Sequence, residues 1–445
     1  MNNGKPLCTD VIVAGAGIGG LVAARTAQEA GADVILLEKS PTIGGSAAVS
    51  GGSAWCAADL DAWLSVQPGA DPALGQALID GYFEGVKWLP SQGVMIERRE
   101  DVVAYKFRRV VYNFLPDARV AMENLARNIG DSGGQILLRT GLRSLSVEEN
   151  GRIGGVTGMG PDGLVVLEAG SVILATGGFQ ASPDLRARYF GRWADRMILR
   201  GNAYSTGEGF RAALAAGSGT AGPFSRFYGH MVPAPPAEVG LHNYAQVKPD
   251  FSEYAVFVNL DGERFDDEFL GDEVTVQATV HQPEALCFLI FDAATPLTAD
   301  RLRNIRDAGG EILEEPSLEA LAGEMADRWG VRRERLMATL HGYNKAAHTG
   351  DASSLPVVRS GGLEPIDNPP FYAIRLLPGI TFTYGGARVN RRAQALDTAG
   401  QVLPGLFAAG ADAGGIYTRG YTGGLSIGLA YGRIAGNEAA VYAQA

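Results

Sequence analysis

Cysteine and histidine are scarce in this chain of 445 residues, which contains three cysteines and five histidines. Because Cys8, Cys56 and Cys287 are far apart, they offer neither a disulfide framework nor a CxxC site for zinc or redox chemistry. The sequence also lacks a CxxCH haem motif and a set of iron–sulfur ligands. We therefore expect no metal site, a reducing cytoplasmic location, and an electron acceptor outside this chain.

Long apolar runs and an excess of positive charge are also missing. The longest apolar run, Val11 to Ala24, is interrupted by glycines and is shorter than the ~20 residues that a membrane-spanning helix needs. The first residues contain no apolar leader segment. Lys and Arg number 38 against 49 Asp and Glu, so the formal net charge of −11 disfavours nucleic acid and anionic membranes as partners. We expect a protein without a membrane span that acts on a small molecule.

Glycine, in contrast, is abundant: the chain has 61, about twice the usual share of ~7%. Residues 10–37 predict a buried strand, a glycine turn, an alanine-rich helix and a second buried strand. The turn, Gly15-Ala16-Gly17-Ile18-Gly19-Gly20, is a GxGxxG motif, and Glu38 follows the second strand. These glycines allow a tight turn and close approach to a pyrophosphate, while the acid binds ribose hydroxyls. The pattern predicts a dinucleotide site.

The rest of the chain indicates two domains. Helices are predicted over 72–89, 117–129 and 426–442, and Asn-Gly and Asp-Gly steps between 135 and 174 predict an antiparallel meander that leads into a buried strand. Near Pro223 the composition changes to short aromatic-rich strands and two helices, and glycine turns return after Pro378. We predict an α/β fold: a Rossmann-like domain from residues 1–222 and 379–445, with an inserted α+β cap domain, 223–378.

Further segments resemble those of the succinate dehydrogenase and fumarate reductase flavoproteins. They are Gly44-Gly45-Ser46, Ser50-Gly51-Gly52, Ala175-Thr176-Gly177-Gly178, Ser205-Thr206-Gly207-Glu208-Gly209, 258–265, Tyr343-Asn344 and 403–410. The resemblance implies an FAD-binding domain, and Gly45 stands where some relatives join a histidine to the flavin, so we expect non-covalent FAD. The residues expected to bind FAD are Gly15, Ala16, Gly17, Gly19, Gly20, Glu38, Lys39, Gly44, Gly45, Ser46, Ser50, Gly51, Gly52, Leu142, Thr176, Gly177, Glu208, Gly410, Ala411, Asp412, Ser426 and Ile427.

Ser426 and Ile427 are assigned to that set because they begin the last predicted helix. Backbone N–H groups at a helix start stabilise negative charge, which the reduced flavin carries. The alternative is that Ser426 is only the N-cap of the helix.

Three positions depart from the pattern of the dicarboxylate enzymes. In those relatives an Arg follows the Glu of GxRFxxE by four residues, and a His and a second Arg hold the substrate carboxylates. The corresponding Glu here is Glu268, and Asp272 stands at the Arg position; the other two segments read 381–386 and 420–424 without His or Arg. Because an unpaired buried carboxylate is costly, we expect C4-dicarboxylate chemistry to be absent.

The segment from Arg419 to Ser426 instead resembles the tyrosine-containing turn of 3-ketosteroid dehydrogenases. The resemblance implies that the hydroxyl of Tyr421, with a backbone N–H, binds a substrate carbonyl and stabilises an enolate. It also implies α,β-dehydrogenation of a cyclic ketone, either a steroid or a smaller ring, or the reverse reduction of an enone. The alternative is that Tyr421 only packs against neighbouring rings.

The group that takes the α-proton is left open among several residues. Asp272 is a candidate because burial can raise the pKa of a carboxylate enough for general-base catalysis. It lies, however, in an acidic run, 266–273, of the kind that is usually solvated surface. The other candidates are Tyr254, Tyr384, Tyr244 and His230.

Two other functions remain open. A flavoprotein that reduces a carboxylate substrate would need an arginine clamp, for which Arg226, Arg388 and Arg419 are available. A flavin-binding protein without turnover, such as a redox sensor, would need no substrate site at all.

Overall fold

A computed structural model describes residues 7–99, 102–104, 107–249, 251–296 and 299–445. Its strands, in chain order, are β1 (Leu7–Ala14), β2 (Val34–Leu37), β3 (Ser53–Ala57), β4 (Met95–Arg98), β5 (Val102–Ala104), β6 (Phe107–Leu115), β7 (Gln135–Leu137), β8 (Gly141–Val147), β9 (Ile153–Gly160), β10 (Gly163–Leu174), β11 (Ile198–Leu199), β12 (Thr220–Ala221), β13 (Phe227–Pro233), β14 (Val256–Val258), β15 (Cys287–Asp292), β16 (Ile312–Glu315), β17 (Phe371–Thr383), β18 (Gly386–Arg388), β19 (Gln394–Leu396), β20 (Val402–Ala408) and β21 (Ala413–Gly414).

The helices follow the predicted positions closely where the apolar period is clear. They are α1 (Ile18–Glu29), α2 (Gly45–Ala48), α3 (Leu60–Val66), α4 (Pro72–Trp88), α5 (Ala118–Asp131), α6 (Pro183–Phe190), α7 (Glu208–Ala215), α8 (Tyr244–Val247), α9 (Asp272–Thr279), α10 (Ala299–Asp307), α11 (Leu318–Trp329), α12 (Arg333–Thr349) and α13 (Gly424–Ala443). None of the described helices is both long and apolar enough to cross a membrane.

The chain divides into two compact units. Unit 1 contains residues 1–182, 201–226 and 382–445, and unit 2 contains residues 183–200 and 227–381. The sequence assigned 183–200 to the FAD-binding domain, but the structure places this segment in unit 2. The reason is that β11 pairs in parallel with β17, through Ile198 opposite Gly379 and Leu199 opposite Ile380. This pairing joins parts of the chain that are far apart in sequence, so local composition does not reveal it.

The main sheet of unit 1 has the strand order β19-β20-β10-β1-β2-β7, and β1 is parallel to both β2 and β10. This confirms the predicted α/β fold. Residues 11–14 of β1 are fully buried, which explains why they are all apolar rather than alternating. The segment 135–137 was predicted in the meander, yet β7 pairs in parallel with β2. The antiparallel meander itself consists of β8, β9 and β10.

Unit 2 is built on a mixed sheet of order β11-β17-β15-β14, with β13 and β16 also paired to β17. Its core combines the buried sides of β14, β15 and β16 with α11 and α12, and includes Phe288, Met325 and Leu336. The long strand β17 is the element on which the others are assembled. Strand β13 and helix α9, which belong to this unit, carry the titratable residues described below.

Candidate functional site

The glycine turn after β1 has space for a side-chain atom at one of its glycines and none at two others. Gly15 has a φ of +106°, and a Cβ placed there would lie 2.2 Å from Ala175 O. A Cβ at Gly20 would lie 1.8 Å from Gly15 O, so helix and strand pack too closely for any side chain. A Cβ at Gly17, in contrast, would meet no protein atom within 4 Å. The turn therefore offers a backbone surface beside the start of α1 that a pyrophosphate can approach.

Glu38 is held rigidly at the end of β2. Its Oε2 accepts a hydrogen bond from Ala16 N at 2.7 Å, and its Oε1 accepts one from Ser40 N at 2.6 Å. Burial raises the pKa of Glu38, while these two backbone donors act to lower it. Because each carboxylate oxygen accepts more than one hydrogen bond, both oxygens remain able to accept from ribose hydroxyls.

The other predicted FAD loops of unit 1 cluster around this turn. Gly44 N donates to Ala16 O at 2.7 Å, which brings the Gly44–Ser46 segment beside Gly17. Lys39 Nζ lies 2.6 Å from Glu208 Oε1. Burial acts to raise the pKa of Glu208, but hydrogen bonds from Lys39 and Thr206 hold it below its ordinary value. Leu142 is buried on β8, next to Gly141, where a Cβ would lie 3.3 Å from Lys39 Cγ.

Asp412 tests whether these residues fit a flavin nucleotide. Its Oδ2 accepts hydrogen bonds from Thr176 N at 2.5 Å and Thr176 Oγ1 at 2.9 Å, whereas its Oδ1 is buried and has no hydrogen-bond partner within the described protein. Burial raises the pKa of Asp412 to about 7, against the lowering effect of Thr176. A sugar-alcohol hydroxyl, such as those of the ribityl chain, would satisfy Oδ1. The residues present therefore fit FAD.

Tyr421 lies in the loop that leads into α13. Gly424 N–H, the first backbone donor of this helix, donates to Tyr421 Oη at 2.8 Å. Gly423, the N-cap, has a φ of +104°, and a Cβ there would lie 1.9 Å from Trp55 O. Ser426 was expected at the helix start or as its N-cap, but the helix begins at Gly424, and Ser426 Oγ donates to Gly423 O at 2.7 Å. The glycine fills the cap position because only it fits against Trp55.

A buried glutamine holds the Tyr421 loop from behind. Gln67 Oε1 accepts from Thr418 N at 2.8 Å and from Arg419 N at 3.1 Å, and Gln67 Nε2 donates to Gly420 O at 2.6 Å. The Gln67 side chain is fully buried. Three consecutive backbone groups are thus fixed by one side chain that is distant in sequence. No local motif marks Gln67, so the sequence offered no signal for it.

We expect Gln67→Leu to lower the thermal unfolding midpoint and to weaken any activity that depends on Tyr421. The change removes the partner of one buried and two part-buried backbone groups, and loss of a buried hydrogen bond costs about 1–3 kcal/mol. Differential scanning calorimetry and turnover measure the two effects. Gln76→Leu, on the exposed face of α4, is the matched control and should change neither by much. A Gln67→Leu protein with the stability of the parent would contradict the assigned hydrogen bonds.

Aromatic rings surround the Tyr421 side chain within unit 1. The Trp55 ring lies edge-on at a centroid distance of 4.9 Å, and the Phe382 ring lies at 5.9 Å. Tyr384 is 1% exposed and stacks on Tyr417 at 4.9 Å, so it contributes to the same cluster. The structure thus brings two predicted tyrosines together, and adds Trp55, which sequence reasoning missed.

Asp272 lies in unit 2 and is not solvated surface. The alternative that the acidic run is exposed is wrong for Glu268, which is fully buried and bound by Arg264 and Arg359, and for Asp272, which is 5% exposed. Asp272 Oδ2 lies 2.5 Å from His230 Nδ1, and Tyr228 Oη lies 3.1 Å from His230 Nε2. Two candidates for the base are therefore joined to a residue that was not considered, Tyr228. The spacing of two along a strand could have revealed it, since such residues share a face.

The remaining candidates are placed differently. Tyr254 is 49% exposed, and its side chain has no hydrogen bond or ring contact among the residues described. Tyr244 lies against Arg200, whose guanidinium carbon is 4.5 Å from the Tyr244 ring centroid. Of the arginines considered for a carboxylate clamp, Arg388 is exposed and Arg226 and Arg419 are half-buried.

Comparison with known proteins identifies the chain's relatives. A model of the family described as "FAD binding domain" matches residues 10–427. The NADH:fumarate oxidoreductase of Klebsiella pneumoniae is 25% identical over 99% of this chain and 48% of its own length, so the chain spans about half of that relative.

Solved structures show the same fold. The open conformation of a flavocytochrome c3 fumarate reductase aligns with a TM-score of 0.74 at 25% identity, over 99% of this chain and 80% of that one. A 3-ketosteroid Δ1-dehydrogenase from Sterolibacterium denitrificans aligns with a TM-score of 0.79 at 20% identity, over 98% and 99%. The family match and the flavocytochrome fold support FAD as the cofactor.

Proposed function

Because this chain belongs to the FAD-binding domain family, we propose that it is an FAD-dependent oxidoreductase. Its proposed substrate is a ketone that it desaturates between the α- and β-carbons, or an enone in the reverse direction. A 3-oxosteroid and a smaller alicyclic ketone both suit this chemistry. The observation that carries the proposal is the hydrogen bond from Gly424 N–H to Tyr421 Oη at the start of α13. The electron acceptor or donor is a molecule outside this chain.

Tyr421 supplies a hydrogen-bond donor to the carbonyl oxygen of the substrate as the ketone becomes an enolate. A phenol can accept one hydrogen bond and donate another, so while Tyr421 Oη accepts from Gly424 N–H, its O–H would donate to the substrate carbonyl in the complex. Negative charge that develops there is stabilised by the N-terminal end of α13, whose N–H groups carry partial positive charge. An uncharged donor matches a neutral ketone, because it leaves no cation unpaired when the carbonyl carries no charge.

The residues around Tyr421 fix this donor and shield it. Gln67 and the Gly423 cap hold the loop, and the Trp55 and Phe382 rings form an apolar surface beside the hydroxyl. In an apolar surrounding, a hydrogen bond to a developing charge is stronger than in water. When bound, FAD exchanges a hydride with the β-carbon of the substrate.

A second candidate is the reduction of an unsaturated carboxylate, as the names of relatives such as the NADH:acrylate oxidoreductase of Vibrio harveyi indicate for those proteins. One observation in unit 2 favours it. Arg200 is 5% exposed, and its Nε and Nη1 have no hydrogen-bond partner within the described residues. A buried guanidinium of this kind can bind a carboxylate.

Anaerobic mixing of the FAD-loaded protein with candidate donors separates these functions. We expect cyclohexanone or a 3-oxosteroid to bleach the flavin absorbance, and 2-cyclohexen-1-one to restore the colour of the chemically reduced protein. If succinate bleaches the oxidised protein, or fumarate or acrylate reoxidises the reduced one, while the ketones are inert, the carboxylate function replaces the proposal. If none of these compounds changes the spectrum, neither function holds.

A further inference from the structure

Three titratable side chains of unit 2 form a continuous chain of hydrogen bonds. Tyr228 and His230 are two residues apart on β13, so their side chains lie on the same face of the strand. Tyr228 Oη lies 3.1 Å from His230 Nε2. On the other side of the imidazole, Nδ1 lies 2.5 Å from Oδ2 of Asp272, the first residue of α9. The second carboxylate oxygen, Oδ1, accepts from Met231 N at 3.1 Å, so Asp272 is fixed to the strand that carries its partner.

The two inner residues of this chain are more deeply buried than the outer one. Asp272 is 5% exposed and His230 is 3% exposed, whereas Tyr228 is half-buried. An ionised Asp272 requires a proton on Nδ1, and the neutral imidazole then presents the lone pair of Nε2 to the Tyr228 hydroxyl. The phenol is thus the accessible end of a chain whose inner members cannot reach a substrate.

We infer that Tyr228 exchanges the proton with the α-carbon of the substrate, and that His230 and Asp272 act as positioning residues; this rests on the proposed function. In desaturation, the α C–H bond breaks and its proton goes to Tyr228 Oη. The proton that Tyr228 held passes to His230 Nε2, and the resulting imidazolium is stabilised by the Asp272 carboxylate. In enone reduction the protons move in the opposite direction, from His230 to Tyr228 and from Tyr228 to the α-carbon. His230 thus accepts and returns a proton as the histidine of a Ser-His-Asp triad does.

The charges around the relay favour the ionised state of its inner end. The positive charges of Arg200 and Lys248 stabilise the ionised form of Asp272. The guanidinium carbon of Arg200 also lies 5.9 Å from the Tyr228 ring centroid. The negative charge of Asp272 in turn acts to raise the pKa of the Cys287 thiol, which burial already raises. Burial raises the pKa of Asp272 to about 6, and Met231 N, Lys248 and Arg200 oppose that rise. The carboxylate is therefore ionised above pH 6 and protonated below it.

The tautomer of His230 tests the relay without any substrate. In protein labelled with [15N]histidine at pH 8, we expect His230 to carry its proton on Nδ1, with that proton far downfield, and Nε2 to be unprotonated. The resonances are assigned by their absence in His230→Gln, and the downfield signal should be lost in Asp272→Asn. The opposite tautomer, or an imidazolium at pH 8, would overturn the relay, because neither can accept the proton of Tyr228.

The catalytic role is tested by stopped-flow reduction of the flavin with cyclohexanone and with a 3-oxosteroid. We expect Tyr228→Phe to slow it by about 10²–10⁴-fold, as for loss of a general acid–base group, with unchanged reduction by dithionite. Tyr372→Phe, which removes a hydroxyl elsewhere in unit 2, is the matched control. An effect of Tyr228→Phe below threefold overturns the assignment.

The pH profile separates positioning from a purely structural role. We expect kcat/KM of the parent protein to fall tenfold per pH unit below about 6, where Asp272 is protonated. In Asp272→Asn the acid limb should move away from its position in the parent protein, because only the His230 imidazole then titrates; an unchanged limb overturns the role of Asp272. If neither ketone reacts with the parent protein, the proposed function fails, and the His230 tautomer alone then supports or overturns the relay.

Discussion

Replacing Tyr421 by phenylalanine is expected to lower the rate of ketone-dependent flavin reduction by roughly 10²–10³-fold, the effect of removing one donor from an oxyanion site. The ring remains, so its contacts with Trp55 and Phe382 are retained, and only the hydroxyl that Gly424 N–H contacts is lost. Ketone binding should weaken far less than the rate, because the donor acts mainly on the charge that develops during reaction. Stopped-flow absorbance measures both quantities.

The matched control is Tyr442→Phe, the same change near the other end of α13. It should leave the rate unchanged, which excludes a general effect on the helix. If the Tyr421→Phe rate stays within threefold of the parent, Tyr421 has no part in the chemistry and only packs against its neighbours.

The second large effect is expected for Gly17→Val, which should weaken FAD binding by roughly 100-fold while leaving the protein folded. A Cβ at Gly17 would meet no protein atom within 4 Å, and the Gly17 φ of −74° suits any residue, so we expect the apoprotein to accommodate valine. The same space is where the backbone must approach a pyrophosphate, and overfilling it costs about 1–3 kcal/mol. Titration of the apoprotein with FAD, followed by flavin fluorescence, gives the affinity.

Gly130→Val provides the control for this substitution. Gly130 also has no atom within 4 Å of its Cβ position, but it lies near the end of α5. We expect its affinity for FAD to match that of the parent, and far-ultraviolet circular dichroism should show all three proteins folded. Full FAD affinity in Gly17→Val would contradict the placement of the pyrophosphate at this turn.

The predicted nucleotide-binding turn was accessible from the sequence because its parts are local. A fully apolar strand, a GxGxxG turn, a helix and an acid at the next strand end lie within residues 7–38, and their spacing is dictated by the geometry of the turn. Glycines that later segments share with related flavoproteins then distinguished FAD from other dinucleotides. Only the extra hydrogen bonds, such as Gly44 N to Ala16 O, needed coordinates.

The substrate-facing chemistry was accessible only in part. The turn predicts a role for Tyr421, but the helix start is misplaced at Ser426, because the fit of Gly423 against Trp55 O involves a strand far away in the chain. Gln67 lies 353 residues from the carbonyl of Gly420 that it binds, and composition carries no trace of that pair. The acidic run has the composition of solvated surface, and no local pattern shows that Arg359 reaches Glu268.

The sequence by itself therefore determined the α/β class and predicted the nucleotide turn, an acid to bind the ribose, and an uncharged residue in place of a dicarboxylate clamp. All of these depend on residues that are near one another along the chain, where backbone geometry fixes which side chains meet. The tertiary structure alone decided that Asp272 hydrogen-bonds to His230, 42 residues away, and that Tyr228 is the outer member of this chain of hydrogen bonds. Such partners are chosen by the packing of α9 against β13, because hydrogen bonds between distant segments depend on burial and orientation that no local spacing encodes.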